Sequence, residues 1–344
     1  VFSWQGGEPT LLGLGFFEKV VALQQKHARP GQRIENDLQT NGTLLDADWA
    51  RFLKEHNFLV GLSIDGPREI HDLYRISKQG QPTFDAVVAA AQTLRRFGVP
   101  FNTLTCVHRF NASRPLDVYR FLRRELGSTR LQFIPIVEPR AFETTAPQAW
   151  DPRQLPVVGS PQASPDHPDS VVTSWSVDAG EYGYFLSRVW DEWLARDFGK
   201  VLVNFCETLV ARHMGLPSQV CVHSEVCGKN IAVEHDGGVY SCDHYVYPEY
   251  RLGNLRERSL GDLVFSPTQV KFAYSKSESL PAWCRQCGFL GDCWGECPKN
   301  RLLRTPDGEP GLNYLCPGLM RFFAHAAPEA KRIAARLQAN RRVL

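Results

Sequence analysis

The 344-residue sequence has little excess charge of either sign and no long apolar run. With 39 Lys and Arg against 37 Asp and Glu, the formal net charge is +2, which excludes the strongly basic surface typical of nucleic-acid or membrane binding. No apolar run approaches the roughly 20 residues that span a bilayer, and no N-terminal stretch has a signal-peptide pattern. We expect a globular cytoplasmic protein whose partners are neither nucleic acid nor membrane.

Cysteine is unusually abundant in this sequence. Ten cysteines are present, in a chain too long to need disulfides for stability. Eight follow the spacing C-x5-C-x14-C, then C-x2-C-x5-C-x3-C, then a last cysteine. These eight are Cys221, Cys227, Cys242, Cys284, Cys287, Cys293, Cys297 and Cys316. Such close pairs are typical of metal ligands. Two sets of four suit two cubane iron–sulfur clusters, and spacing alone leaves zinc open. Cys106 and Cys206 lie in apolar runs and are interpreted as ordinary buried thiols.

The first part of the chain alternates strand and helix patterns. Strands are predicted at 1–4, 34–38, 58–64, 101–107 and 131–137, and helices at 14–26, 46–56, 83–97 and 116–126. Repeated βα units predict an α/β fold with a parallel sheet and helices on its outside.

Three predicted strands end in glycine and polar residues. These ends are Gln5-Gly6-Gly7-Glu8, Gln39-Thr40-Asn41-Gly42 and Ser63-Ile64-Asp65-Gly66. Because ligands bind at the carboxyl ends of parallel strands, the three ends predict one binding surface. Gly6-Gly7-Glu8-Pro9 could instead be a simple tight turn, and Ser63 or Asp65 could instead serve to cap a helix or form a turn.

The second part of the chain is different in character. Six prolines lie at 147–168, so the stretch at about 140–176 is predicted to be a surface insertion or partly ordered loop. A helix is predicted at 179–196, followed by a cysteine-rich domain at 215–320 and a basic C-terminal helix at 321–344. Within the cysteine-rich domain, a hairpin is predicted around a turn at 235–237.

Several of these motifs together resemble the radical S-adenosylmethionine (SAM) enzymes. Trp4-Gln5-Gly6-Gly7-Glu8-Pro9-Thr10 resembles the GGEP element, and the other two strand ends resemble the next motifs of that fold. The cysteine pattern, with C-x9-G-x4-C at Cys227, Gly237 and Cys242, is similar to the SPASM extension. Around Cys242-Asp243-His244, Leu252-Gly253-Asn254 and Gly291-Asp292-Cys293 the resemblance is to anaerobic sulfatase-maturating enzymes. It implies a partial (β/α) barrel at 1–214 followed by a SPASM domain.

One element of the resemblance is missing. The family's C-x3-C-x2-C loop, which holds the SAM-cleaving cluster, does not occur in these residues. The chain begins within a strand pattern at Val1, so we expect an N-terminally truncated sequence whose third cluster lies in the missing segment. As given, the chain is expected to be inactive in radical generation.

The resemblance assigns cofactor-binding roles. SAM is expected to contact Gly6, Gly7, Glu8, Ser63, Asp65 and Arg75. One auxiliary [4Fe-4S] cluster is expected on the first cysteine set, which is Cys221, Cys227, Cys242 and Cys297. The other is expected on the second cysteine set, which is Cys284, Cys287, Cys293 and Cys316. Ligation by four cysteines leaves no iron open to substrate, which favours electron transfer.

The resemblance also implies a reaction. A SAM-derived radical removes a Cβ hydrogen from a cysteine or serine of an unfolded sulfatase polypeptide, Asp243 takes the proton of its thiol or hydroxyl, and one electron leaves towards the auxiliary clusters. The product is formylglycine, formed directly from serine, or from cysteine after hydrolysis of a thioaldehyde. Gln5 is expected to face the substrate peptide, and a flavodoxin- or ferredoxin-type protein to donate electrons. Asp243 could instead be an ordinary loop carboxylate.

Two other functions stay open at this point. One is a different radical SAM/SPASM peptide modifier that forms thioether or carbon–carbon cross-links or matures a quinone cofactor. The other is a non-catalytic zinc- or cluster-bearing peptide scaffold.

Overall fold

The computed structural model describes residues 1–341, which form two compact units. The first unit comprises Val1–Ile134 and Arg188–Asn204. The second unit comprises Pro135–Ser187 and the described chain from Phe205 onwards.

A six-stranded sheet forms the centre of the first unit. Its strands are hydrogen-bonded in the order of the sequence, from β1 to β6. The pairs β1–β2, β2–β3, β3–β4 and β5–β6 are parallel. The predicted α/β class with a partial barrel is therefore confirmed. The strands are β1 Phe2–Trp4, β2 Asn36–Thr40, β3 Leu59–Ser63, β4 Phe101–Val107, β5 Arg130–Pro135 and β6 Leu202–Val203.

Helices connect these strands, as parallel pairing requires. Asp46 caps the start of α2 (Ala47–Glu55), where its carboxylate accepts from the N–H groups of Asp48 and Trp49. Gly98, with a left-handed φ of 67°, caps the end of α4 (Phe84–Phe97). A short π-helix, Phe121–Glu125, extends α5. The helices are α1 Leu14–His27, α2 Ala47–Glu55, α3 Arg68–Tyr74, α4 Phe84–Phe97, α5 Pro115–Arg120 and α6 Ala179–Arg196.

Alternation along β3 buries one set of side chains. Val60 and Leu62 have no exposed surface, and neither does Leu94 on α4. Phe17 of α1 packs edge-on against Trp49 and Phe58. Each such side chain contributes roughly 1.5–3 kcal/mol through burial, so the strands are held where their carboxyl ends can form a site.

The second unit is built from small sheets and short helices. β7, β8 and β9 form an antiparallel sheet, and β10 pairs with β11. The predicted hairpin corresponds to β7 and β8. The strands are β7 Ala232–Val233, β8 Gly238–Tyr240, β9 Arg251–Asn254, β10 Leu303–Arg304 and β11 Pro310–Leu312. The helices are α7 Asn204–His213, α8 Leu260–Val264, α9 Pro267–Glu278, α10 Ala282–Arg285, α11 Leu290–Cys293 and α12 Cys316–Arg341.

The long C-terminal helix α12 begins five residues before the predicted start and packs closely on the start of α6. A Cβ atom at Gly318 would overlap the carbonyl oxygen of Ala179 and the backbone nitrogen of Gly183. Only glycine permits this approach. Residues 342–344 of the predicted helix lie outside the described residues.

The proline-rich stretch is more integrated than its sequence suggests. Tyr247 and Tyr250 donate hydrogen bonds from their hydroxyls to the carbonyls of Phe142, at 3.0 Å, and Pro147, at 2.6 Å. Arg304 Nε donates to the carbonyl of Leu155 at 2.7 Å. These bonds come from residues far along the chain. The resemblance places the stretch in the barrel domain, whereas in the structure it groups with the second unit.

Within residues 1–341, no helix is both long enough and apolar enough to cross a bilayer.

Candidate functional site

The loop after β1 carries two glycines in left-handed conformations. Gly6 has a φ of 88° and Gly7 a φ of 52°, and both are exposed. A Cβ atom at either position would have no neighbour within 4 Å. The space above this loop is therefore open, and the glycine backbone can be approached closely by a ligand.

Glu8 joins the ends of β1 and β2. Its Oε1 accepts from Thr10 N at 3.0 Å, from Thr10 Oγ1 at 2.6 Å and from Thr40 Oγ1 at 2.8 Å. Its Oε2 accepts from the backbone N–H of Asn41 at 2.7 Å. Both carboxylate oxygens thus hold the strand-end loops together, so Glu8 acts in the structure as a brace. A direct contact with SAM stays a prediction.

The buried Asp65 and the half-buried Arg75 form an ion pair after β3. Arg75 donates from Nε at 2.6 Å and from Nη2 at 3.0 Å, and the N–H of Cys106 donates to the same carboxylate at 2.8 Å. Asp65 therefore orients the arginine. Cys106, predicted from the sequence to be an ordinary buried thiol, contributes to this network. Ser63 lies half-buried at the end of β3.

Two neutral histidines lie beside this pair. Burial lowers the pKa of His71 to about 4 and that of His108 to about 4. The ring of His71 contacts the Asp65 N–H through Nδ1 at 3.4 Å and Thr83 Oγ1 through Nε2 at 3.1 Å. A neutral ring suits these contacts because Nδ1 must accept.

The second cysteine set lines one cavity. Its volume is about 370 Å³, including space open to solvent, and all four cysteines are on its wall. The pKa of the Cys316 thiol is raised to about 12 by burial and by the nearby thiols of Cys293, Cys284 and Cys287. The remaining wall is largely apolar, with Trp283, Phe289, Leu319, Met320 and Phe323. Thiols that resist ionisation become thiolates when iron binds them.

The first cysteine set is grouped by the same kind of interaction. Burial raises the pKa of the Cys221 thiol, the nearby ammonium group of Lys276 lowers it, and Cys227 is among the neighbours that raise it. Cys297 likewise interacts with Cys227, and Cys242 with Cys297. The structure thus brings Cys297 towards Cys227 and Cys242, an arrangement that spacing could not reveal.

A tight turn separates the two neighbouring cysteines that belong to different sets. Between Cys293 and Cys297, the residues Trp294, Gly295 and Glu296 have left-handed φ values of 49°, 68° and 51°. Two of them are not glycine, and such backbone strain persists only where the surrounding structure fixes it.

Asp243 is exposed beside a member of the first cysteine set. Its Oδ1 accepts from the N–H of His244 at 3.1 Å and from the thiol of Cys242 at 3.1 Å. The second bond requires a protonated thiol, so iron ligation of Cys242 would release that side of the carboxylate. Gln5, the expected substrate contact, directly follows β1 and is exposed.

Three buried charged residues near the cysteines were not predicted from the sequence. Lys276, Glu296 and Arg301 are 0%, 4% and 5% exposed. Each lies in a stretch whose charged residues suggest an ordinary solvated surface, so no sequence signal distinguished them.

The donor chemistry of both cysteine sets fits a cubane cluster, which takes one thiolate per iron. Within residues 1–341, no three His, Cys, Asp or Glu side chains lie close enough to hold a single metal ion. The fit therefore rests on the shared cavity and on the grouping of the thiols, and the individual ligands stay predictions.

Comparison with known families agrees with both halves of the chain. Residues 1–122 match the radical SAM superfamily, and residues 221–288 match the SPASM iron–sulfur cluster-binding domain.

Curated relatives extend over nearly the whole chain. The serine-type anaerobic sulfatase-maturating enzyme of Bacteroides thetaiotaomicron is 42% identical over 95% of this chain and 76% of its own length. The chain belongs to the anaerobic sulfatase-maturating enzymes. The cysteine-type enzyme of Clostridium perfringens is 34% identical over 97% of this chain and 83% of its own length.

Solved structures show the same family. Native anSMEcpe with bound AdoMet and the Cp18Cys peptide matches with a TM-score of 0.80 at 34% identity, over 98% of this chain and 86% of that one. Streptococcus suis SuiB matches at 15% identity with a TM-score of 0.52, which shows a shared fold alone. This anaerobic sulfatase-maturating enzyme is therefore a radical SAM enzyme whose cofactors are [4Fe-4S] clusters and SAM.

Proposed function

We propose that the intact protein oxidises one serine or cysteine of an unfolded sulfatase polypeptide to formylglycine. The observation that carries the proposal is the grouping of four cysteines around one cavity, in a chain of this family. An open glycine loop beside the strand ends supports a SAM site on the same chain.

The SAM site is proposed at the strand ends of the first unit. The backbone of Gly6 and Gly7 is open to the methionine part of SAM, and Glu8 keeps that loop attached to β2. Arg75, oriented by Asp65, supplies a cation suited to a carboxylate. Ser63 contributes a hydroxyl at the end of β3. When bound, SAM supplies the radical that takes a Cβ hydrogen from the target residue.

Asp243 is proposed as the general base, and Gln5 as a contact for the substrate peptide. An exposed carboxylate can accept the proton of the target hydroxyl or thiol, provided that it comes within hydrogen-bond reach. Its neighbouring Cys242 belongs to the first cysteine set, so the proton acceptor lies beside the proposed electron acceptor. The two cysteine sets would hold auxiliary clusters that supply an acceptor for the electron, and ligation by four cysteines would leave no iron open to substrate.

We propose a serine-type client. The support is the 42% identity to the serine-type enzyme of Bacteroides thetaiotaomicron alone, since the serine-type enzymes of Klebsiella aerogenes and Klebsiella pneumoniae, at 35% and 34%, are about as similar as the cysteine-type enzyme, at 34%. We also propose a flavodoxin- or ferredoxin-type electron donor and a cytoplasmic location, as the family resemblance implies.

Radical generation is proposed to need a segment beyond these residues. Residues 1–344 contain no C-x3-C-x2-C motif. A polypeptide restricted to them is expected to bind two auxiliary clusters and to leave SAM intact.

The test is an anaerobic incubation of the full-length protein with SAM, a reductant and peptides that carry the sulfatase target as serine, cysteine or alanine. Formylglycine is expected from the serine peptide and no change in the alanine peptide. Unmodified serine and cysteine peptides, or a cross-linked product, would overturn the proposal.

A further inference from the structure

Lys276 is a fully buried cation at the C-terminal part of α9. Its side chain is 0% exposed, and Nζ donates to the carbonyl oxygens of Cys221 at 2.9 Å and Val222 at 2.8 Å. The lysine is thereby fixed on the loop that carries the first member of the first cysteine set.

The surroundings of Lys276 are rich in cysteine. Its ammonium group interacts with the thiols of Cys227, Cys297 and Cys221 and with the carboxylate of Glu296. All three cysteines belong to the first set. The fourth member, Cys242, interacts with Cys297.

Arg301 is a second buried cation and lies against the same helix. Its Nη2 donates to the carbonyl of Lys276 at 2.7 Å, and its Nη1 donates to Ser279 Oγ at 2.9 Å. Its guanidinium interacts with Cys284 of the second set as well as with Cys227 and Cys297 of the first. Arg301 is therefore close to both sets, whereas Lys276 is close to one.

Glu296 is the one buried carboxylate that interacts with this group in the described chain. It accepts from the side-chain amides of Asn300 at 3.0 Å and Asn313 at 2.8 Å. Among the buried charged side chains of this group, one carboxylate stands against two cations, so their sum is positive. Buried charge without full compensation is destabilising.

A cubane cluster on four thiolates would supply the missing negative charge. Adding one electron makes such a cluster more negative, so a neighbouring cation stabilises the reduced form more than the oxidised form. Net charge around a cluster is one of the factors that set its reduction potential.

We propose that Lys276 is a positioning residue that raises the reduction potential of the cluster on the first cysteine set, and that Arg301 raises the potentials of both auxiliary clusters. This inference rests on the proposed cluster assignment. The first cluster would then accept the electron that leaves the substrate more readily than it would without Lys276.

The experiment is an EPR-monitored redox titration of the full-length, anaerobically reconstituted protein, with iron and acid-labile sulfide measured on each sample. Lys276→Met is compared with Lys276→Arg and with Lys271→Met, which removes an exposed lysine from the same helix. Lys276→Met is expected to shift one auxiliary cluster to a more negative potential. Lys276→Arg and Lys271→Met are expected to stay near the wild-type values.

An unchanged potential in a fully loaded Lys276→Met protein would overturn the inference and leave the cluster assignment intact. Wild-type protein without labile sulfide would overturn both. If Lys276→Met loses its cluster, the inference is tested by comparing Arg301→Gln with Arg301→Lys. The reduction potentials of both auxiliary clusters should be more negative in Arg301→Gln and close to the wild-type values in Arg301→Lys.

Discussion

Arg75 donates two hydrogen bonds to Asp65, from Nε at 2.6 Å and from Nη2 at 3.0 Å. The aspartate side chain is 4% exposed and the arginine side chain 24%. The two residues follow β3 and α3, so the pair fixes a loop at the carboxyl edge of the sheet, where the SAM site is proposed.

Asp65→Asn is expected to destabilise the protein. Removing the charge of the buried aspartate leaves a half-buried arginine without its partner, so the free energy of unfolding should fall. The measurement is the free energy of unfolding in urea. The same change should weaken SAM binding, because the guanidinium loses its fixed orientation.

A matched control exists on the surface of the same unit. Arg68 and Asp85 form an ion pair whose side chains are 53% and 80% exposed. Exposed pairs contribute roughly 0–1 kcal/mol, so Asp85→Asn should have little effect. Equal losses in the two variants would show that burial does not set the importance of the Asp65 pair.

The division of cysteines predicts the outcome of a double substitution. If Cys221 and Cys297 hold the same cluster, Cys221→Ala with Cys297→Ala removes one cluster and leaves the cluster on the second set. Iron and sulfide content should fall by one cluster, and Cys206→Ala, which changes a buried thiol outside both sets, should retain them all. Loss of both auxiliary clusters would place Cys297 with the second set.

Asp243→Asn is expected to separate SAM cleavage from product formation. The amide cannot take the substrate proton, so formylglycine should fall about 10²–10⁴-fold, while iron content and 5′-deoxyadenosine production stay near wild type. Glu249→Gln, at a nearby exposed carboxylate, should leave the yield unchanged. Undiminished formylglycine in Asp243→Asn would remove the residue from the mechanism.

Acid is expected to destabilise the first unit through His71 and His108. Burial lowers the pKa of each to about 4, below the ordinary value of 6.5. The unfolded chain therefore takes up protons first. The contribution of the two neutral histidines to the free energy of unfolding is present above pH 6.5 and is lost as the pH drops towards 4. At pH 5 the loss is roughly 2 kcal/mol per histidine.

The check is urea unfolding at pH 7.5 and pH 5 for wild type and His108→Gln. The difference between the two pH values should be smaller in the variant. His27→Gln, which replaces an exposed histidine, should retain the wild-type difference. An equal pH dependence in all three proteins would contradict this account.

Much of the fold could be predicted because apolar periodicity identifies buried strands and helices. The bounds of β4 and α6 agree with prediction, as their side chains follow the expected patterns. The strand predicted at 34–38 instead runs from Asn36 to Thr40. Its polar start is buried because Trp4 and Gln24 hydrogen-bond the side chain of Asn36, which no pattern reveals.

Elements fixed by distant partners were beyond sequence reasoning. β6 has two residues and exists through its pairing with Arg130 and Leu131 of β5. The buried position of Lys276 depends on carbonyls 54 and 55 residues earlier in the chain. The motifs identified the loops that carry Asp65 and Glu8. They did not reveal that both carboxylates would accept hydrogen bonds from other residues of the protein.

The most direct measurement uses a sulfatase-derived peptide whose target serine carries deuterium at Cβ, incubated anaerobically with the full-length protein, SAM and a reductant. Mass spectrometry of both products is expected to find formylglycine in the peptide and deuterium in 5′-deoxyadenosine. Formylglycine without deuterium transfer, or 5′-deoxyadenosine with an unchanged peptide, would contradict oxidation at Cβ by this enzyme.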